Sequence, residues 1–173
     1  SSIDAVLLTH AHLDHCGYLP RLVRQGFRGP VYGTSATLDI ARIVLLDSAH
    51  IQEEDAEQKR KRHEREGRRG PHPDVPLYTR KDAEDCLPLF EEVGFGEPVT
   101  IAGGIRAEFF EAGHILGSSM IRLRLNARDG RERTILFSGD IGRWDAPILR
   151  DPTLFGEADY VVMESTYGDR LHE

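Results

Sequence analysis

The chain begins with an unbroken apolar run, Ala5-Val6-Leu7-Leu8, bounded by Asp4 and Thr9. Four apolar residues without polar alternation predict a strand buried on both faces, as in sheets covered by helices. Leu19, Leu22 and Val23 then recur at helical spacing, with Pro20 tolerated in the first turn, Gly26 as the stop and Asp14 as the expected cap. After Gly29-Pro30, Val31-Tyr32-Gly33 reads as a second short strand. Thr34 or Ser35 should start a long helix that carries Leu38, Ala41, Leu45 and Ala49 along one face.

That apolar stripe ends near His50. From Gln52 the sequence turns acidic (Glu53, Glu54, Asp55, Glu57) and then basic (Lys59, Arg60, Lys61, Arg62, Arg65, Arg68, Arg69), with almost nothing apolar before Val75. Opposite charges four apart, Asp55 with Lys59 and Glu57 with Lys61, support a solvated helical extension until Gly67 and Gly70-Pro71 break it. Residues 52–75 are therefore expected to form a charged, exposed insertion, a solvated face rather than an RNA-contacting arm. His63 and His72 within it are expected to be solvated.

The second half alternates in the manner of strands. Thr79 and Asp82 have the spacing of a capping box for a helix through Ala83, Cys86 and Leu87, disturbed by Pro88. Residues 97–101 and 105–110 predict two strands joined at Gly103-Gly104, with Ile105, Ala107 and Phe109 on one face. Residues 120–125 place Ile121, Leu123 and Leu125 inward against Arg122 and Arg124, and Asp129-Gly130 predicts the hairpin into a strand over 134–137. A last strand covers 160–163. Helices and strands mixed in this order give an α/β (α+β) chain.

Composition narrows the class. With 173 residues, 39% hydrophobic and 29% charged, the chain suits one soluble globular domain. No apolar run approaches membrane-spanning length and no signal-peptide pattern opens the chain, so a cytoplasmic protein with no membrane partner is expected. A net charge of −7 argues against general stickiness for nucleic acid, so a polyanion would need a local basic groove or positive metal ions. Cys16 and Cys86 are the only cysteines and form no Cys-x-x-Cys, which excludes a disulfide framework or a thiolate zinc knuckle.

The chemistry gathers at strand ends. His10, His12, Asp14 and His15 fall within six positions directly after the first apolar run. Side chains two apart on extended backbone point the same way, so His10 and His12 can grip one ion while Asp14 and His15, past the bend, face a second. Imidazoles with a carboxylate suit zinc or a similar first-row ion. His114, flanked by Gly113 and Gly117-Ser118-Ser119, can supply the third ligand of the first ion. Asp140 can offer one oxygen to each of two ions, which a single imidazole nitrogen cannot. Glu164 also follows a strand. Cys16 reads as a small buried residue, His50 as a helix-surface histidine and His172 as ambiguous; Arg143 and Trp144 either line a cleft or support a loop.

His-Ala-His-Leu-Asp-His (10–15), Gly113-His114 and Ser-Gly-Asp140 resemble the motifs of the metallo-β-lactamase superfamily. Glu-Ser-Thr-Tyr-Gly (164–168) and Gly-His-Ile-Leu-Gly-Ser (113–118) resemble its β-CASP branch of RNA- and DNA-processing nucleases, which includes the 3′-end cleavage endonucleases and ribonuclease J. The resemblance implies an αββα sandwich and two zinc ions. His10, His12 and His114 would bind one ion, Asp14 and His15 the other, and Asp140 both. Asp14, Asp140 and Glu164 become the candidate catalytic carboxylates, with Glu164 orienting a histidine general acid. It further implies that 1–173 is a partial metallo-β-lactamase domain, short of N-terminal strands and followed in the full polypeptide by a β-CASP domain carrying the acid and the last zinc ligand. The expected activity is therefore a two-zinc RNA phosphodiesterase acting on single-stranded RNA, the piece alone being poorly active and a homo-oligomer being left open. The alternatives are a hydrolase of small esters, thioesters or lactams on the same centre, and an inactive scaffold subunit of an RNA-processing complex.

Overall fold

A computed structural model of the chain describes residues 2–68, 70–166 and 168–169. Arg69, Tyr167 and His172, which figure in the expectations above, lie outside the described residues. In order the elements are β1 (Val6–Leu7), α1 (Leu13–Cys16), α2 (Leu19–Arg24), β2 (Val31–Gly33), α3 (Ser35–Glu66) and α4 (Arg80–Cys86). There follow β3 (Phe90–Glu92), β4 (Val99–Thr100), β5 (Arg106–Glu111), β6 (Ser119–Asn126), β7 (Glu132–Phe137) and β8 (Tyr160–Val162).

Two sheets result. The first is parallel throughout, in the order β1-β2-β3. The second runs β4-β5-β6-β7-β8, antiparallel except where β7 pairs in parallel with β8. Alternation along the strands decides the layers. Val6, Leu8 and Val31 pack with Leu19, Val23, Ala41, Leu45, Ala83 and Cys86 of the helices. Leu7 and Tyr32, on the other face, join Ala107, Phe109, Ile121, Leu123 and Phe137 of the second sheet. The β1 run is thus buried on both sides, as its unbroken apolarity predicts. The chain is a mixed α+β structure of helices over one sheet and that sheet over another.

Among the described residues the α-helices all precede β3, and no α-helical fourth layer covers the outer face of the second sheet. There Phe155 and Ala158 of the long loop after β7 lie against Ala112, Met120 and Leu136. No helix among the described residues is long and apolar enough to cross a membrane.

Local rules explain most boundaries. The Thr34 hydroxyl accepts from the Thr37 amide at 3.4 Å to open α3, and Gly67 closes it at φ +60°, the left-handed conformation helix ends favour. The capping box of Thr79 and Asp82 is formed in both directions. The charged stretch is not an appendage: α3 is one helix of 32 residues, about 48 Å at 1.5 Å per residue.

Two expectations need correcting, and one strand goes unannounced by the sequence. Asp14 caps nothing, because the backbone coils at once after His12 and puts Asp14 in the first turn of α1, while α2 has Tyr18 at its N-cap with no side-chain hydrogen bond. His63 is not solvated: its side chain is 11% exposed, and Nδ1 lies 2.6 Å from Asp74 Oδ2. The returning segment follows α3, with the Leu77 amide donating to Gln52 Oε1 at 3.1 Å and the Arg80 amide to Glu53 Oε1 at 3.3 Å. Finally, β3 follows a turn of 3₁₀ helix at Pro88 and pairs with β2, a strand that three residues cannot announce by periodicity.

Candidate metal centre

The ends of β1, β5 and β7 meet on one edge of the two sheets, and the residues just beyond them converge. His10 Nε2 lies 3.1 Å from His12 Nδ1, which lies 3.2 Å from His114 Nε2. Asp140 Oδ2 is 3.5 Å from both His10 Nε2 and His114 Nε2. All four ligand atoms fall within 4.8 Å of one another and could hold a metal ion. Four atoms about 2.0–2.1 Å from a tetrahedral zinc would stand about 3.3 Å apart, close to the four separations of 3.1, 3.2, 3.5 and 3.5 Å.

The other oxygen of Asp140 turns away. Oδ1 lies 3.2 Å from His15 Nε2, which is 3.6 Å from Asp14 Oδ2. This second group is more open, with Asp14 on the rim at 80% side-chain exposure against 1% for His10. One carboxylate thus addresses two sets of donors, as a bridging ligand must.

Neighbours fix these side chains in place. Burial first, and next the adjacent His15, hold the His10 imidazole down to about 4, so it is neutral at pH 7. Nε2 is turned to the cluster and Nδ1 faces Thr9 Oγ1 at 3.2 Å, a partner for the ring nitrogen on the far side from the ligand atoms. His114 sits in a loop whose Ser118 hydroxyl accepts from the His114 amide at 3.0 Å and the Ile115 amide at 3.2 Å. Ser119 donates through its amide (2.8 Å) and hydroxyl (3.0 Å) to the Thr9 carbonyl, which ties the loop to the chain just before His10. The Thr34 and Thr37 hydroxyls donate to the Gly117 carbonyl at 2.6 and 2.8 Å and anchor the same loop to the start of α3.

The loop after Asp140 depends on two glycines. Gly139 has φ +55°, and a Cβ there would meet the Thr9 side chain at 2.9 Å. Gly142 donates to the Ala112 carbonyl at 2.8 Å and lies so close to the other ligand loop that a Cβ would fall 1.7 Å from the Gly113 oxygen. Glycines flanking a ligand permit close backbone approach, and a Cβ at Gly117 would fall 2.5 Å from the Thr37 amide nitrogen; the task of Ser118 has no signal in the sequence. The hydroxyls of Thr9 and Ser119 carried no signal beyond adjacency to a ligand.

Of the remaining candidates, Glu164 lies outside the cluster: its Oε1 accepts from the Ile141 amide at 2.8 Å. Cys16 is buried, with Sγ 3.4 Å from the Ala11 carbonyl, and burial pushes its thiol up to about 11, so it joins no ligand set. His50 is a helix-surface histidine, 3.4 Å from Glu54. Arg143 and Trp144 both stand exposed on the loop beyond Asp140.

A carboxylate and histidines from three strand ends, at one edge of two stacked sheets, form a candidate metal site. Residues 1–172 match the family described as "Beta-lactamase superfamily domain", and the chain belongs to that family. It is 38% identical over 170 residues to Ribonuclease TTHA0252 of Thermus thermophilus. It is 35% identical over 168 residues to transcription termination factor FttA of Methanococcus maripaludis. These stretches cover 98% and 96% of this chain but only 33% and 23% of the two relatives, so the chain spans a third or less of their length. Among solved structures, a subclass B3 metallo-β-lactamase from a soil metagenome library superposes with a TM-score of 0.47 at 18% identity, over 79% of this chain and 41% of that one.

Proposed function

We propose that these residues form the larger part of a two-zinc centre of the β-CASP type that cleaves phosphodiester bonds in single-stranded RNA within the full polypeptide. The observation that carries the reading is the split of Asp140, with Oδ2 toward His10 and His114 and Oδ1 toward His15. Two first-row ions held there would stabilise charge on a scissile phosphate and activate water near neutral pH. His10, His12 and His114 would hold the first, Asp14 and His15 would face the second, and Asp140 would serve both. The neutral state of His10 leaves its nitrogen free to bind rather than repel a cation. The positive ions answer the electrostatic problem of a chain with net charge −7 meeting a polyanion.

RNA is favoured over small acyl substrates because Glu164-Ser165-Thr166 follows β8 and because one relative is named a ribonuclease. The full-length protein, loaded with zinc, is expected to cut labelled single-stranded RNA and to bind two ions per chain by elemental analysis. His12→Ala should abolish both the cutting and the first ion. Turnover of esters or lactams without RNA cleavage would reverse the substrate assignment. Well under one ion per wild-type chain would favour a scaffold without catalysis.

A further inference from the structure

The carboxylate of Glu164 is aimed at the backbone beside Asp140. Its Oε1 accepts from the Ile141 amide at 2.8 Å, while its own amide donates to Ser138 Oγ at 3.2 Å. The Ser138 amide in turn donates to the Val162 carbonyl at 2.9 Å, and its hydroxyl donates to the Gly139 carbonyl at 2.6 Å. The turn 138–141 therefore hangs from the end of β8 by three hydrogen bonds, one on each side of Asp140 and one at the Ser138 hydroxyl. The Ser138 amide bond fixes where the turn starts; the bond to Ile141, followed by that of the Gly142 amide to the Ala112 carbonyl at 2.8 Å, fixes where it leaves, and of these two the Ile141 bond is the one adjacent to Asp140.

We propose that Glu164 is a positioning residue for Asp140, acting through the Ile141 amide. The proposal rests on the reading of Asp140 as a bridge between two ions. A bridge tolerates little rotation, because turning the carboxylate to favour His15 withdraws the other oxygen from His10 and His114. Glu164 holds the peptide that sets this rotation. Its second oxygen plays no part in that bond, so the task needs an acceptor at the right reach and no charge.

The opposite end of the same strand pair supplies a control. There Asp159 Oδ2 accepts from the Thr134 amide at 2.7 Å, a cap of the same kind remote from the histidines. In the full-length protein, Glu164→Ala is expected to weaken zinc binding by about 10- to 100-fold in a chelator competition, the usual cost of losing an outer partner of a ligand. Glu164→Gln, which keeps Oε1, should bind zinc within a few-fold of wild type. Glu164→Asp, which keeps the charge but retracts the oxygen by one methylene, should bind as poorly as the alanine variant, and it serves in place of that variant should alanine fail to fold. Asp159→Ala should lower the melting temperature without changing zinc affinity. Hydrogen exchange at the Ile141 amide should be protected in wild type and Glu164→Gln and fast in Glu164→Asp, with or without metal. Equal zinc affinity for Glu164→Asp and wild type, or loss in Glu164→Gln matching that in Glu164→Asp, would overturn the proposal. So would an unprotected Ile141 amide in wild type. None of these readouts uses RNA, so a protein that shows this pattern but spares RNA refutes the substrate assignment and not the role of Glu164.

Discussion

The two sheets contribute to the metal centre in opposite styles. The parallel sheet, sealed under the helices, delivers its donors in one burst: His10, His12, Asp14 and His15 occupy a span of six positions after β1. The antiparallel sheet delivers one donor per strand end, His114 after β5 and Asp140 after β7. A compact motif needs only local backbone to be assembled. Scattered donors need the whole sheet in register, and the structure surrounds them accordingly with Ser118, Ser119, Gly139 and Gly142. The parallel-sheet side carries the chemistry in its sequence, whereas the other side carries it in its architecture.

The sharpest way to break that contrast is to delete the one residue both donor sets share. On the proposed two-ion reading, Asp140→Ala should remove both ions and lower the proposed RNA cleavage by about 10³-fold or more, beyond the 10- to 100-fold typical of outer partners. His15→Ala should remove only the more open second ion. Elemental analysis of the two variants reads the difference directly, and loss of both ions in His15→Ala would erase the distinction.

Next in size is Gly142→Ala. Its Cβ would collide with the Gly113 carbonyl, so the two antiparallel-sheet loops must separate, at a cost of about 3 kcal/mol by analogy with severe overpacking. Urea denaturation midpoints, compared with those of Gly26→Ala, measure it. A Cβ at Gly26 meets nothing within 4 Å although its φ is +100°, so only backbone strain is expected there. Thr9→Val tests the parallel-sheet side more gently. Loss of the hydroxyl facing His10 Nδ1 should weaken the first ion by about tenfold, read by chelator competition at fixed pH.

The smallest effect concerns the helix-covered flank. Burial raises the Cys16 thiol to about 11 and the Cys86 thiol to about 12, and both side chains are inaccessible. Thiolate is the reactive form, so raised values mean protonated, inert thiols throughout the neutral and mildly alkaline range. An aromatic disulfide reagent at pH 8 should find no reactive thiol in the native protein and two after unfolding.

How much was legible in the sequence follows the same division. The β1 run, the cap at Thr34, the box at Thr79 and Asp82 and the stripe of α3 are local signals, and the structure has them. The metal-competent residues His10, His12, His114 and Asp140 lie together, and strand ends followed by such residues are visible in one dimension. The Asp14 cap failed because the chain coils immediately after His12, a tertiary outcome of bringing His15 round to Asp140. His63 was misjudged because its partner Asp74 arrives from a returning segment no charge pattern announces. The bond from Ile141 to Glu164 spans 23 residues and two parallel strands, so only the β7–β8 pairing brings its ends together.

The centre lies across the seam between the sheets, with donors on either side of it. An ion gripped by His10 and His114 would also be a cross-link that closes a loop of roughly one hundred residues in the unfolded chain. By the chain-entropy reckoning used for disulfides, such a closure is worth about 4–5 kcal/mol, comparable to a large fraction of a domain's whole stability. Chelation would then do more than silence chemistry: it would unfasten one sheet from the other, and metal supply would govern how long the protein survives as well as how fast it works.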